Sequence, residues 1–122
     1  MVATAHGPTI AAKPQLVKAI AAGLAQSSHF TRNNRDEAVE IFAKWVPGTD
    51  VAIGKKGVKH ISFDPRLSPA VLRAFENAED QVLHNTLKGA ARLDVPRLFK
   101  PQFMAEVERE HPEYFADLPK LA

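Results

Sequence analysis

Histidine is the first residue type to weigh for chemistry, and the chain has five: His6, His29, His60, His84 and His111. Two imidazoles grip a metal from one helix when they stand a turn apart, as in HxxxH or HExxH. No pair has that spacing, so each reads as a surface or half-buried residue and no metal site is expected. There is no cysteine, which removes thiol nucleophiles, thiolate ligands and disulfides together. Gly54-Lys55-Lys56-Gly57 has some of the look of a phosphate loop. A Walker loop needs longer glycine spacing, Lys followed by Ser or Thr, and a helix directly after. Here Val58 to Phe63 reads as extended and the tetrapeptide as a solvated turn. Ser27, Ser28, Ser62 and Ser68 include no Gly-x-Ser-x-Gly elbow. Glu37, Glu40, Glu76, Glu79 and Asp80 fall opposite apolar helix stripes, where nothing drives two carboxyl pKa values apart for acid–base work. Neither a catalytic set nor a cofactor set is expected, and the chain reads as non-enzymatic.

Those residues are carried by a chain of 122, one domain's worth. Its 45% apolar and 25% charged fractions are those of a globular protein rather than a disordered one. Sixteen Lys and Arg against fourteen Asp and Glu leave a net charge of +2. The signs are interspersed, without the clustered basic face of a nucleic-acid binder. Met1 to Ala12 is nearly uncharged but lacks a basic n-region and contains His6-Gly7-Pro8. It reads as neither a signal peptide nor a membrane span. Periplasmic residence would then require a signal on a segment outside this sequence.

Apolar periodicity and capping residues predict helices near 13–30, 34–46, 68–88 and 101–111. Pro14 suits a first helical position, and Asn34 with Glu37 suits a capping box. Pro47-Gly48 is a stop, Ser68-Pro69 a capped start, and Lys88-Gly89 a C-terminal close. Asp94-Val95-Pro96 opens a short turn around Leu98-Phe99, and Tyr114, Phe115 and Leu118 form a tail that packs back. Val2 to Ala5 reads as a short strand or extended arm. Val51, Ile53 and Lys59 to Phe63 read as short extended pieces, with helical carry-over from Thr49 to Ile53 as the alternative. The expected fold is therefore mostly α, with four or five helices and one or two short strands in a single domain, 1–122. The expected core is Leu16, Ile20, Leu24, Phe42, Trp45, Leu72, Phe75, Val82, Leu83 and Phe103. Trp45 in particular reads as core rather than as a ligand platform.

Four segments, in order, resemble the solute-binding proteins of ABC importers for sulfonates, nitrate, taurine and thiamine precursors. Lys13-Pro14-Gln15-Leu16-Val17-Lys18-Ala19 is similar to that family's Lys-Pro-Glu-Leu-Val-Lys-Ala helix opening. Asn34 to Ile41 resembles its Asn-Pro-Glu-Glu-Ala helix, and Leu93 to Phe99 its Val-Asp-Val…Leu-Phe turn. Phe63-Asp64-Pro65-Arg66 followed by the Ser68-Pro69 start is the most specific of the four. The resemblance implies the C-terminal part of a periplasmic-binding-protein-like α/β lobe, a fragment or remnant whose partner is an ABC permease or a companion lobe. It implies a small anionic or heterocyclic solute, no cofactor and no nucleic acid. Ligands of open α/β folds sit beyond the carboxyl ends of strands, which places any solute contact near His6, Gly7 and Thr9, just after the expected strand. A free-standing helical protein-interaction domain is the alternative. Apolar helix faces with few βα units to cover them predict self-association, as a homodimer through Val2–Ala5 or through the first two helices.

Overall fold

The computed structural model describes residues 3–121 and contains seven α-helices, two single 3-10 turns and, among the described residues, no strand. α1 spans Gly7–Ala12, α2 Pro14–Asn33, α3 Arg35–Trp45 and α4 Val51–Gly57. α5 spans Pro69–Asn85, α6 Val95–Leu98 and α7 Gln102–Glu110. The 3-10 turns lie at Val58–His60 and Pro112–Tyr114. The predominantly helical fold is as the periodicity predicts, but the described residues hold seven α-helices rather than four or five, because the short α1, α4 and α6 add to the expected four. The expected strands are a correction. Ala3, Thr4 and Ala5 are irregular and exposed, while Val2 lies outside the described residues. A lone extended arm has no neighbouring strand to pair its backbone groups.

Each helix boundary has a local cause. Pro14 occupies the first turn of α2, where its missing N–H leaves no bond unmade. Asn34 ends α2 and begins α3, but its side chain is spent backward. Its backbone N–H and Nδ2 both donate to the Phe30 carbonyl, at 2.8 and 3.0 Å, so the expected capping box does not form. Asp36 and Glu37 still complement the positive end of α3. At the Pro47-Gly48 stop, Gly48 takes φ +82°, a left-handed conformation in which glycine has no Cβ to clash. The segment after it is helical rather than extended, because Asp50 accepts from the Ile53 N–H at 3.0 Å and caps α4. Lys55 and Lys56 thus belong to the last turn of α4 and not to a solvated turn. Val58–His60 continues as a 3-10 turn, leaving only the residues after it extended. Ser68 Oγ accepts from the Val71 N–H at 3.3 Å and caps α5, as the sequence indicates. Asp94 does the same for α6, accepting from Arg97 N–H at 3.2 Å.

The core is built from different residues than the periodicity suggests. α2 packs on α7 through Ala21, Ala25, Met104 and Val107, with Phe115 of the tail closing the end. Ala25 and Val107 are wholly buried. Lys18 bridges to Glu110 at 2.6 Å and Glu106 at 3.6 Å along the same contact. The inward seam of α2 is therefore Lys18, Ala21, Ala25 and Arg32, residues that are small or carry a charge to a partner. The expected core is corrected accordingly: Leu16, Ile20, Leu24, Phe42, Phe75 and Val82 are exposed, and Trp45 is 81% exposed. Leu72 and Leu83 are half-buried, and Phe103, half-buried too, packs against the α2–α7 core as expected. Small side chains let two helix backbones approach, and the large residues are left on the outer faces. α3 meets α4 where Gly54 lies against Val39, so closely that a Cβ at position 54 would stand 2.8 Å from a Val39 methyl.

α5 and α6 form a separate arm. α5 is about 25 Å long and, among the described residues, meets no helix other than α6. Val95 is buried there, and Phe75 and Phe99 meet edge to face at 5.3 Å between ring centres. α5 ends at Asn85, three residues short of the expected 88, and Gly89 sits at φ +83° in the following turn. The chain as a whole exposes 8960 Å². A compact monomer of its 13.4 kDa exposes about 6,500 Å².

The seam assignment has a direct consequence for stability. In urea unfolding, Ala25→Leu should cost about 2 kcal/mol or more by overpacking the α2–α7 contact. Leu24→Ala, one residue along but on the outer face, should cost less than about 1 kcal/mol.

Candidate functional site

The densest polar constellation gathers three arginines around the segment between α4 and α5. Arg32, near the end of α2, has a side chain only 6% exposed. Its Nε and Nη2 donate to the two Asp117 carboxylate oxygens, at 2.7 and 2.9 Å. Nη2 also donates to the Tyr114 carbonyl, and Nη1 to the Phe63 carbonyl at 2.7 Å. Arg35, at the start of α3, donates to the carbonyls of Val58 and Ile61 and lies 5.7 Å from the centre of the Phe63 ring. Arg66 is itself buried. Its Nε and Nη2 hold Asp64 at 2.9 and 2.7 Å, Nη2 reaches the Pro119 carbonyl at 2.7 Å, and Nη1 reaches Glu108 at 3.3 Å.

These ion pairs set the charge states. The Arg32 hydrogen bonds hold the Asp117 carboxyl at about 2 against an ordinary 3.8, although partial burial works the other way. Burial pushes the Asp64 carboxyl up, but the hydrogen bonds from the Arg66 guanidinium and backbone N–H outweigh it and leave the group below its ordinary value. Arg66 is raised by the same pairing, with burial opposing it.

A groove of ≈ 350 Å³ opens beside Arg66, lined also by Glu108, Phe115, Leu118, Pro119 and Lys120. A guanidinium offers five N–H donors, and four of those of Arg66 already serve two carboxylates and a carbonyl. Arg66 is therefore a structural cross-link in the wall of the groove rather than a hand extended to an anion. His29 and His111 flank the Tyr114 ring, His111 stacked on it at 5.1 Å and His29 tilted at 5.8 Å. Among the described residues no three His, Cys, Asp or Glu side chains converge as metal ligands. Every buried side-chain nitrogen and oxygen among them has a partner. Three of the carboxylates on the helix faces act as ties: Glu40 pairs with Lys55, Asp80 with Arg92, and Glu79 accepts from the Leu93 N–H.

His6, Gly7 and Thr9 lie elsewhere, at the opening of α1. His6 is the residue before the helix and makes no side-chain cap, and Gly7 begins it. His6 and Gly7 are exposed and Thr9 half-buried. The strand they were expected to follow is not formed by Ala3–Ala5. The arginine cluster escaped sequence reasoning because, Asp64 apart, its partners are backbone carbonyls and carboxylates 23 to 85 positions away. Only Asp64-Pro65-Arg66 was visible as a unit. Compared with protein-family models, with curated proteins and with solved structures, the chain matches none.

The depressed Asp117 value fixes the sign of a pH effect. A carboxyl that ionises more readily folded than unfolded adds stability above its unfolded pKa and loses it as pH falls through the folded one. Asp117 should therefore stabilise above pH 4 and cease to do so as pH approaches 2. Its side chain is 35% exposed, so solvent screening reduces the contribution to about 1 kcal/mol. Asp117→Asn should lower urea stability by about that much at pH 7, and the gap from wild type should close on acidification.

Proposed function

We propose that this chain is a non-catalytic helical portion of an ABC-importer solute-binding protein, of the type that captures a small anionic or heterocyclic solute. The observation that carries the reading is the set of helix faces that the chain leaves uncovered. α3 presents Ile41, Phe42 and Trp45, and α5 presents Phe75 and Val82, all exposed. In a soluble protein such faces belong against another surface. The roughly 2,500 Å² by which the chain exceeds a compact monomer is enough for more than one standard contact of about 800 Å² per partner. The four ordered segments that resemble the solute-binding family supply the identity of the missing surface: the βα units of a lobe, or the permease. Phe63-Asp64-Pro65-Arg66 supports it further, because it is the most specific of these segments and also the residues that pin the α4–α5 connection.

On this reading the chain closes and supports a lobe, while solute selection belongs mainly to the surfaces it covers. Any contact of its own with solute would fall at His6, Gly7 and Thr9, a placement that rests on the opening of α1 rather than on a strand. A second reading, a free-standing helical interaction domain, is favoured by one feature. The α2–α7 seam and its arginine ties close without any sheet. No helix among the described residues is long and apolar enough to cross a membrane.

The genes beside this one separate the two readings. The importer reading expects βα-lobe, permease or ATPase frames there, and neighbours of none of these kinds contradict it. An isotope-labelled sample titrated with taurine, an alkanesulfonate, nitrate and a pyrimidine tests the contact. Amide shifts confined to residues 6–14 support it, and none at millimolar solute removes it.

A further inference from the structure

Charge signs are interspersed along the whole chain, but the hairpin of α3 and α4 is not balanced. Residues 41–62 hold Lys44, Lys55, Lys56 and Lys59 against one carboxylate, Asp50. The remainder carries twelve Lys and Arg against thirteen Asp and Glu. Asp50 is turned to the Ile53 N–H as the cap of α4. Of the four lysines only Lys55 is in an ion pair among the described residues, with Glu40. Lys44, Lys56 and Lys59 are exposed. Set among them are Phe42, Trp45 and Ile53, which are 56%, 81% and 68% exposed.

The three apolar residues share one side of the hairpin. Val39 lies against Gly54 and Arg35 reaches the Val58 carbonyl, so α3 and α4 run antiparallel. Glu40 and Lys55 meet across them and mark one side. A helix turns about 100° per residue, so Phe42, two positions after Glu40, points about 160° away from that ion pair. Ile53, two positions before Lys55, does the same on α4. Trp45 follows Phe42 within about 60° on α3. Lys44 borders Trp45, Lys56 stands one turn beyond Ile53, and Lys59 follows Lys56 at the same spacing in the 3-10 turn. The result is an apolar patch on one side of the hairpin with a rim of ammonium groups.

We infer that this side of the α3–α4 hairpin docks on a bilayer surface rich in anionic phospholipid. Two features choose lipid over polypeptide. Lysine is depleted at protein–protein interfaces. Beside a bilayer, by contrast, lysine stems lie along the apolar surface and carry their ammonium groups to the phosphates of the headgroups. Tryptophan is the side chain enriched where headgroups meet acyl chains, and Trp45 is the most exposed of the three. The contact stays at that boundary, since no helix among the described residues is long and apolar enough to cross. The inference goes beyond the proposed function: it gives the α3 face a lipid cover, leaves the α5 face to polypeptide, and does not depend on any solute.

Trp45 is the chain's one tryptophan, so its emission reports the contact without a label. Vesicles of equimolar phosphatidylglycerol and phosphatidylcholine should shift that emission to the blue and carry the protein into the pellet. Pure phosphatidylcholine vesicles should bind about tenfold or more weakly. Ile53→Glu and Phe42→Glu, at exposed positions, should each abolish the shift with far-ultraviolet helicity retained. Lys56→Glu combined with Lys59→Glu should weaken binding to the anionic vesicles by about tenfold or more. Leu98→Glu, exposed on α6, should bind as the wild type does. Absence of a blue shift with the anionic vesicles overturns the inference, as does equal binding to the neutral ones or binding indifferent to Ile53→Glu. A blue shift that grows with protein concentration in lipid-free buffer puts a second copy on this face and overturns it too.

Discussion

Between the end of the 3-10 turn at His60 and the start of α5, the chain runs with neither helix nor sheet to satisfy its backbone. Polar backbone groups left without partners away from water are costly, and here guanidinium groups meet the need. Arg35 takes the carbonyls of Val58 and Ile61, and Arg32 takes that of Phe63. The same Arg32 holds Tyr114 and Asp117, and Arg66 joins the segment to α7 and to Pro119. Three parts of the chain far apart in sequence are thereby tied at one place: the α2–α3 junction, the α4–α5 connection and the C-terminal tail. Breaking one arm of a buried, bidentate pair leaves charges unmatched, so the ties act together rather than one by one.

The knot also explains why the hydrophobic seam can be so slight. Ala21, Ala25, Met104, Val107 and Phe115 bury little area compared with a Leu-rich core. What they provide is close helix approach, while Lys18 and the arginines fix α2 against α7 and the tail. The consequence is an unusual distribution of apolar surface. The large side chains are displaced to outer faces, and a surface arranged that way is suited to contact with other polypeptide. The arm of α5 and α6 extends the same principle, with its own small contact at Val95, Phe75 and Phe99.

Much of the helical outline was legible because its signals are local. Pro14, Ser68 with Pro69, and the Pro47-Gly48 stop act within a turn of where they stand, so four helices fall within a few residues of expectation. The Asp50 cap is equally local, and the Val51 and Ile53 alternation is too short to outweigh it, so the helical alternative for this segment holds from Val51. Asn34 misled because an asparagine at a helix–helix junction can serve either helix, and here it serves the first. The core was misread for a different reason. Periodicity weights large residues, whereas on α2 the inward face is set by where Lys18 and Arg32 find carboxylates on α7 and the tail. Those partners lie 92 and 85 positions away, beyond anything a local pattern reports. The arginine cluster was hidden by the same distance.

The central claim is that one arginine knot couples the α4–α5 connection to the C-terminal tail. Native-state amide hydrogen exchange of Arg32→Lys measures it directly, since lysine keeps the charge but loses the bidentate fork. Protection should fall together at residues 61–66 and 112–118, by about tenfold or more, while α5 is unchanged. A loss confined to one of the two segments, or spread evenly through α5 as well, would contradict the coupling.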